Sequence, residues 1–323
     1  MCDTQYVSCS LSRRGSRALR PEHHGEEEER KGNDSGSGSI QQIPEECLAK
    51  AIGLTSPADA CRAGAVSAAF RSAADSDAAW EGFLPPDCDA ILERAVHLVD
   101  FSSKKELFHD LSDEHVLLDD GKRSFGLHRS SGAKCYMLSA SVLEIAWVGV
   151  DLYWTKRSDP DSRFSKVAEL VAVCLFHIHG IISTKELSPG THYAAYLVFK
   201  LTHHASGLNS PCQRSRVDIG EQLVRSAHRV SLHPCNRACS AGNDQMSMMN
   251  GGTKLHEHED EEGGGAIRYP YPRTDGWLEL EMGDFHTSTS VDDADVYMEL
   301  RESEELQWKK GLIIEGIEIR PKN

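Results

Sequence analysis

A chain of 323 residues, 39% of them hydrophobic, is long enough for two domains with a sizeable core. Its net charge of −15 argues against a nucleic-acid phosphate backbone as the main partner, although much of that charge sits in two runs, residues 26–29 and 257–262. No stretch approaches the roughly 18 apolar residues of a membrane span and the N-terminus lacks the apolar core of a secretory signal, so the sequence predicts a cytoplasmic or nuclear protein with reduced cysteines.

Residues 1–39 read as a disordered tail: Arg13, Arg14, Arg17 and Arg20 precede the first acidic run, then comes NDSGSGS. Such a segment has too little apolar surface to offset its ordering entropy. Order is expected from Ile40. In IPEECLAKAIG, Pro44 suits a first helical turn, Glu45 and Glu46 suit the positive end of the helix dipole, Leu48 and Ile52 share a face, and Gly53 stops the helix. Ser56-Pro57 restarts one. Val66 and Phe70 are spaced to share a face, as are Trp80 and Leu84, before Pro85-Pro86 ends the unit. About three short helices in 40–86 form a small unit whose apolar positions a partner could complete.

Residues 87–131 predict a structured connector, with a helix from Ser103 to about Leu111 and a turn at Asp119-Asp120-Gly121. From 132 the signals are mostly β. Leu143, Ile145 and Trp147 alternate with Glu144 and Ala146, which predicts a strand with Trp147 in phase with the core. The pattern breaks at Val148-Gly149, placing Tyr153 and Trp154 in a loop. His177 and His179 share a strand face, without a third metal ligand set by spacing. THYAAYLVFKLT is apolar on both faces, as in a strand buried inside a sandwich. DGWLELEMGDF alternates Leu278, Leu280 and Met282 inward against Trp277, Glu279 and Glu281; DVYMELRE repeats the pattern; GLIIEGIEIRP closes the domain with Gly316 at a bulge. Residues 236–265, polar and glycine-rich, read as a long disordered insertion. His233, Cys235 and Cys239 have a spacing open to zinc, but no second pair lies nearby.

These signals predict a multidomain α+β protein, a small N-terminal helical unit followed by an antiparallel, jelly-roll-like β-sandwich over 132–323. No G-x-S-x-G elbow, P-loop or G-x-G-x-x-G is present, and Cys47, Cys61 and Cys88 have no activating neighbour. The sequence therefore predicts a non-catalytic protein with no cofactor.

The segment IPEECLAKAIGLTSPADACRAGAVSAAFRSAADSDAAWEGFLPPD resembles the F-box of plant proteins joined to a phloem-protein-two (Nictaba-type) lectin domain. Across 134–322, KCYMLSA, SRF-x-x-VAELV, LSP-x-T-x-YAAYLVFK, R-x-DGW-x-E-x-E-x-G-x-F and W-K-x-GLIIEGIEIRPK are similar to that lectin domain. Ala51 and Gly53 stand where similar sequences carry larger apolar or helix-favouring residues; a mid-helix glycine costs on the order of 1 kcal/mol. The resemblance implies a substrate-recognition subunit of a cullin-RING (SCF-type) ubiquitin ligase. The helical unit would dock on the Skp adaptor through Ile43, Pro44, Leu48, Ile52, Val66 and Phe70, and the lectin domain would select N-acetylglucosamine-containing targets. For the glycan, Trp147 and Trp154 are the stacking candidates, Tyr153 and Asp151 the polar contacts, and Trp277 with Glu279 a second, outward-facing pair. The alternatives are a protein-binding adaptor on the same sandwich and a free lectin whose F-box does not dock.

Overall fold

The computed structural model describes residues 43–220, 227–235, 257–259 (backbone only), 266–289 and 293–322. The expected tail lies outside these residues, and so does most of the expected insertion. Among the described residues six α-helices come first: α1 (Glu45–Ile52), α2 (Pro57–Ala63), α3 (Ala68–Asp75), α4 (Asp77–Trp80), α5 (Cys88–Leu92) and α6 (Lys104–Asp113). Local chemistry sets their starts. The Ser56, Ser67 and Ser103 side chains accept hydrogen bonds from the amides of Asp59, Phe70 and Glu106, satisfying donors that a helix start leaves free. Pro44, expected as the first helical residue, sits instead at the cap of α1, one position before the helix begins at Glu45. Gly53 ends α1 with ordinary right-handed angles, so its small size rather than its φ is what the site requires. A Cβ there would lie 2.9 Å from the Ala79 carbonyl oxygen, and one on Gly82 would lie 2.7 Å from that of Gly53.

The strands follow: β1 (Val116–Leu118), β2 (Arg123–Leu127), β3 (Lys134–Ser139), β4 (Glu144–Ile145), β5 (Trp154–Arg157), β6 (Val167–Leu170), β7 (Phe176–Ser183), β8 (His192–Ser206), β9 (Gln213–Ile219), β10 (His228–Val230), β11 (Glu257–Glu259), β12 (Ala266–Arg268), β13 (Tyr271–Pro272), β14 (Leu278–His286), β15 (Asp295–Glu302) and β16 (Lys310–Pro321). One sheet runs β1-β2-β3-β16-β8-β14-β13, with β6 pairing to another stretch of β16 and β5 to β6. The other runs β11-β12-β10-β9-β15-β7-β4. Among the described residues every pair is antiparallel except β10 with β12. The α+β sandwich read from the sequence is therefore the architecture observed. Residues 257–259, inside the stretch read as insertion, form strand β11 beside β12.

Leu197, Phe199, Leu280, Met282 and Ile317 of the first sheet share one core with Ile178, Val296, Met298 and Leu300 of the second. The same core continues without interruption into the helices through Trp80, Phe83, Leu107, Phe108, Leu111 and Phe125. The stretch 87–131 thus does more than bridge. Its hairpin, β1 and β2 about the positive-φ turn Asp119-Asp120-Gly121, extends the first sheet beside β3.

The outer face of the first sheet is covered as well. Met137, Phe164, Val167, Val198, Trp277 and Ile313 form a second apolar cluster there, which explains why β8 reads apolar on both faces. Residues 158–166 lie across this face. Glu315 accepts hydrogen bonds from Ser162 Oγ and the Arg163 amide, and Lys200 binds Asp159 and Asp161 at 2.9 and 2.7 Å. Gly316 lies where the β16–β8 register shifts, the bulge expected from the sequence.

Candidate functional site

The segment joining β4 to β5 combines a strained backbone with an exposed aromatic ring. Strand β4 is only two residues long, so the predicted alternation stops before Trp147. There the chain reverses: Trp147 has a φ of 68°, Gly149 one of 91°, and the Val148, Val150 and Tyr153 amides donate to the Ile145, Trp147 and Val150 carbonyls. A positive φ is strained for a bulky aromatic residue. Trp147 is nevertheless 56% exposed, with its ring 5.8 Å from that of Tyr153 at an interplanar angle of 53°. Asp151 is exposed on the same loop.

Trp154 has the opposite role. It is 2% exposed, packs on Phe176 with ring centroids 6.5 Å apart, and donates from its indole nitrogen to the Ala146 carbonyl at 3.1 Å. That bond ties the far end of the loop to the residue before Trp147. The sequence reading is therefore corrected at both tryptophans: Trp147, expected in phase with the core, faces solvent, while Trp154, expected in a loop, is core. Trp154 positions the loop and cannot stack on a ligand.

The second expected pair is corrected too. Trp277 is 1% exposed, donates its indole N–H to the Asp161 carbonyl at 3.0 Å, and carries the Lys200 ammonium 4.3 Å from its ring. The residues that cover it, 158–166, are 111 or more positions away in sequence, so alternation alone could not reveal the cover. Glu279 is spent on two arginines, Arg273 at 3.0 Å and Arg320 at 2.7 Å, and both also bind buried Glu318. These guanidinium groups hold the Glu318 carboxyl down at about 2 against the cost of burial. The R-x-DGW-x-E and EIRP motifs thus build an ionic layer beneath the 158–166 crossing. His115 belongs to that layer. Its Nδ1 faces Arg163 Nη1 at 2.9 Å and Ser124 Oγ at 3.3 Å, and burial together with Arg163 pushes it down to about 4.

On the second sheet, His177 and His179 stack with ring centroids 6.4 Å apart, and each contacts a carboxylate: Glu299 at 3.0 Å and Glu144 at 3.5 Å. Among the described residues no group of three or more His, Cys, Asp or Glu is arranged to hold a metal ion. Cys239 of the HPCNRAC group lies outside them.

In the helical unit the expected adaptor anchors separate into two sets. Leu48 and Ile52 are buried inside the unit and give it its own core. Ile43, Pro44 and Val66 are exposed, Val66 at 69%, and Phe70 is half-buried. Val66 precedes the cap of α3 rather than lying in the helix, so its spacing from Phe70 is not a shared helical face. Leu54, at 83% exposed, was not singled out by periodicity because it follows the stop glycine. An aliphatic residue standing outside its helix is the signal that would have found it.

Residues 133–321 match the family model described as phloem protein 2. The F-box protein PP2-B1 of Arabidopsis thaliana is 38% identical over 303 residues, covering 86% of this chain and 89% of that protein. The F-box proteins PP2-B10 and VBF of the same plant are each 37% identical over 289 residues; the match covers 89% and 88% of this chain, and 96% and 100% of theirs. The chain belongs to the F-box proteins of the phloem protein 2 family. The matched stretch begins at Ala133, so the β1–β2 hairpin that pairs with β3 lies outside it, in the segment that follows the helices.

Proposed function

We propose that this chain is a substrate receptor of a cullin-RING ubiquitin ligase, with the F-box at 40–86 docking on a Skp adaptor and the phloem protein 2 domain holding a glycan-bearing target. The chemistry of ubiquitin transfer belongs to other subunits, and this chain contributes proximity and orientation. The observation that carries the target-binding half is Trp147, a large ring that is both strained and left in water. Packing accounts for neither property, whereas a ligand that stacks on the ring accounts for both. A sugar offers C–H-rich faces to such a plane, and in this reading Asp151 and Tyr153 supply the polar contacts to its hydroxyl groups. The experiment is a tryptophan-fluorescence titration with chito-oligosaccharides. Saturable binding that disappears in Trp147→Ala supports the reading; binding that survives the substitution sinks it.

One observation favours a second reading. Val148, Val150 and Leu152, all exposed, lie between Trp147 and Tyr153 in the chain, and aliphatic groups offer nothing to sugar hydroxyls but suit a polypeptide surface. Competition decides between them. Excess chitin oligomer displaces a target gripped through its glycan and leaves one gripped through its backbone and side chains in place.

A further inference from the structure

The outer face of the second sheet carries a row of cations that neither module's proposed role uses. The register sets Arg301 of β15 opposite Arg214 of β9, and Arg214 opposite Arg229 of β10. Opposed residues have Cβ atoms about 4.5–5.5 Å apart, so three arginines stand shoulder to shoulder on one face. Like charges placed opposite each other oppose strand pairing. The adjacent row is balanced instead: Glu299 lies between His179 and Arg216, and Arg216 reaches its carboxylate at 3.4 Å.

Arg214, Arg229 and Arg301 line one cavity of about 370 Å³, together with Asn209, Ser210 and Ser303. Among the described residues, no hydrogen bond or ion pair engages Arg301. Among the described residues three carboxylates border the cavity, and they set its selectivity. Glu302 is committed to Lys309 and to the amides of Glu304 and Glu305. Glu304 reaches Arg214 at 3.1 Å, but both side chains are more than half exposed, and such pairs are weak and exchangeable. Glu305 accepts a long 3.4 Å bond from Gln307. Two acidic side chains at the rim disfavour an extended anionic polymer and leave room for a compact anion.

We propose that this row is a binding site for a phosphoryl group carried by a polypeptide. The planar guanidinium fork matches a tetrahedral oxyanion bidentately, and a phosphate dianion between Arg214 and Arg301 removes the repulsion that their facing register builds in. Among the described residues no aromatic ring lines the cavity, so a phosphorylated sugar would bring a ring with nothing there to stack on, whereas a phosphorylated side chain needs only the fork. The site is separate from the Trp147 loop, which leaves the opposite edge of this sheet beyond β7 and β4, and it does not depend on the glycan reading.

The test uses the full chain and phosphorus-31 line broadening. The probes are a phosphoserine peptide with alanine and glycine flanks, glucose 6-phosphate and inorganic phosphate; the unphosphorylated peptide is followed by proton line broadening. The expected result is that the phosphopeptide binds about tenfold or more tightly than its unphosphorylated twin and than glucose 6-phosphate. Arg301→Gln and Arg214→Gln should each weaken it about tenfold, with Arg301→Lys falling between because it keeps the charge and loses the fork. Arg71→Gln, on an exposed arginine of the helical unit, should change nothing. Arg301 is exposed, so its substitution should leave the melting temperature in place. Three results overturn the proposal: equal affinity for the two peptides, glucose 6-phosphate binding as well as the phosphopeptide, or indifference to both arginine substitutions.

Discussion

At the scale of single residues, the tryptophans divide by what surrounds them. Trp154 and Trp277 are enclosed and hydrogen-bonded through their indole nitrogens, so truncating either leaves a large cavity. Trp154→Ala and Trp277→Ala should each cost about 3–5 kcal/mol in urea unfolding. Trp147 occupies a backbone conformation that suits glycine. Trp147→Gly should therefore melt no lower than the parent while losing whatever the ring binds. His115 gives a prediction for pH. With its Nδ1 held against the Arg163 guanidinium, it is neutral in the folded protein down to about 4 but takes up a proton nearer 6.5 once unfolded. A histidine lowered in this way destabilises the fold as pH drops from about 6.5 toward 4, because the unfolded chain then binds the extra proton. By linkage the loss is on the order of 3 kcal/mol over that window. Melting curves from pH 7 to 5 should show a shallower decline for His115→Gln than for the parent; an identical slope would show that His115 does not titrate as argued. His128 is also lowered by burial, so some decline should remain in the variant.

Elements show where sequence patterns lead and where they mislead. The Ser56 cap, the stop at Gly53, the bulge at Gly316 and the buried run of β8 were all legible, since each depends on neighbours within a few residues. The phase of Trp147 was not. The alternation runs through Leu143, Ile145 and Trp147, yet the strand closes at Ile145 because the turn takes over. Gly53 was legible as a helix stop but not in its reason. Read as helix propensity, it is a defect; in the structure it is where α1 meets the backbone of α4. Gly53→Ala should accordingly destabilise the protein, although alanine favours helix by about 1 kcal/mol. Thermal denaturation gives the sign, and a rise in melting temperature would contradict the packing account. The same burial logic separates two kinds of loss of docking. Leu48→Asp should unfold the helical unit, since it places a charge in a core. Val66→Asp should leave the melting temperature unchanged and weaken capture of the adaptor, because that side chain already lies in water.

Over the whole molecule, the sequence suggested two modules and a bridge, whereas the apolar core runs unbroken from Trp80 through Phe108 and Phe125 into the sandwich. Short-range patterns could not reveal this, because the contacts join residues tens of positions apart. Lys134 of β3 reaches Asp87 at 2.8 Å, Lys105 reaches Asp75 at 2.6 Å, and Asp77 accepts from the Lys104 amide at 2.8 Å. In the proposed receptor the docking and target surfaces would share one core, which would hold a target at a fixed distance and angle from whatever holds the helices, as proximity-driven transfer requires. The most direct test is a bridging experiment in which full-length chain and purified Skp adaptor are passed over immobilised chitotriose. The account predicts that the beads retain the adaptor only when the chain is present. Trp147→Ala should lose both proteins, and Val66→Asp should lose the adaptor alone. Failure of the parent chain to stay on the beads, or retention of both proteins by Trp147→Ala, would contradict it.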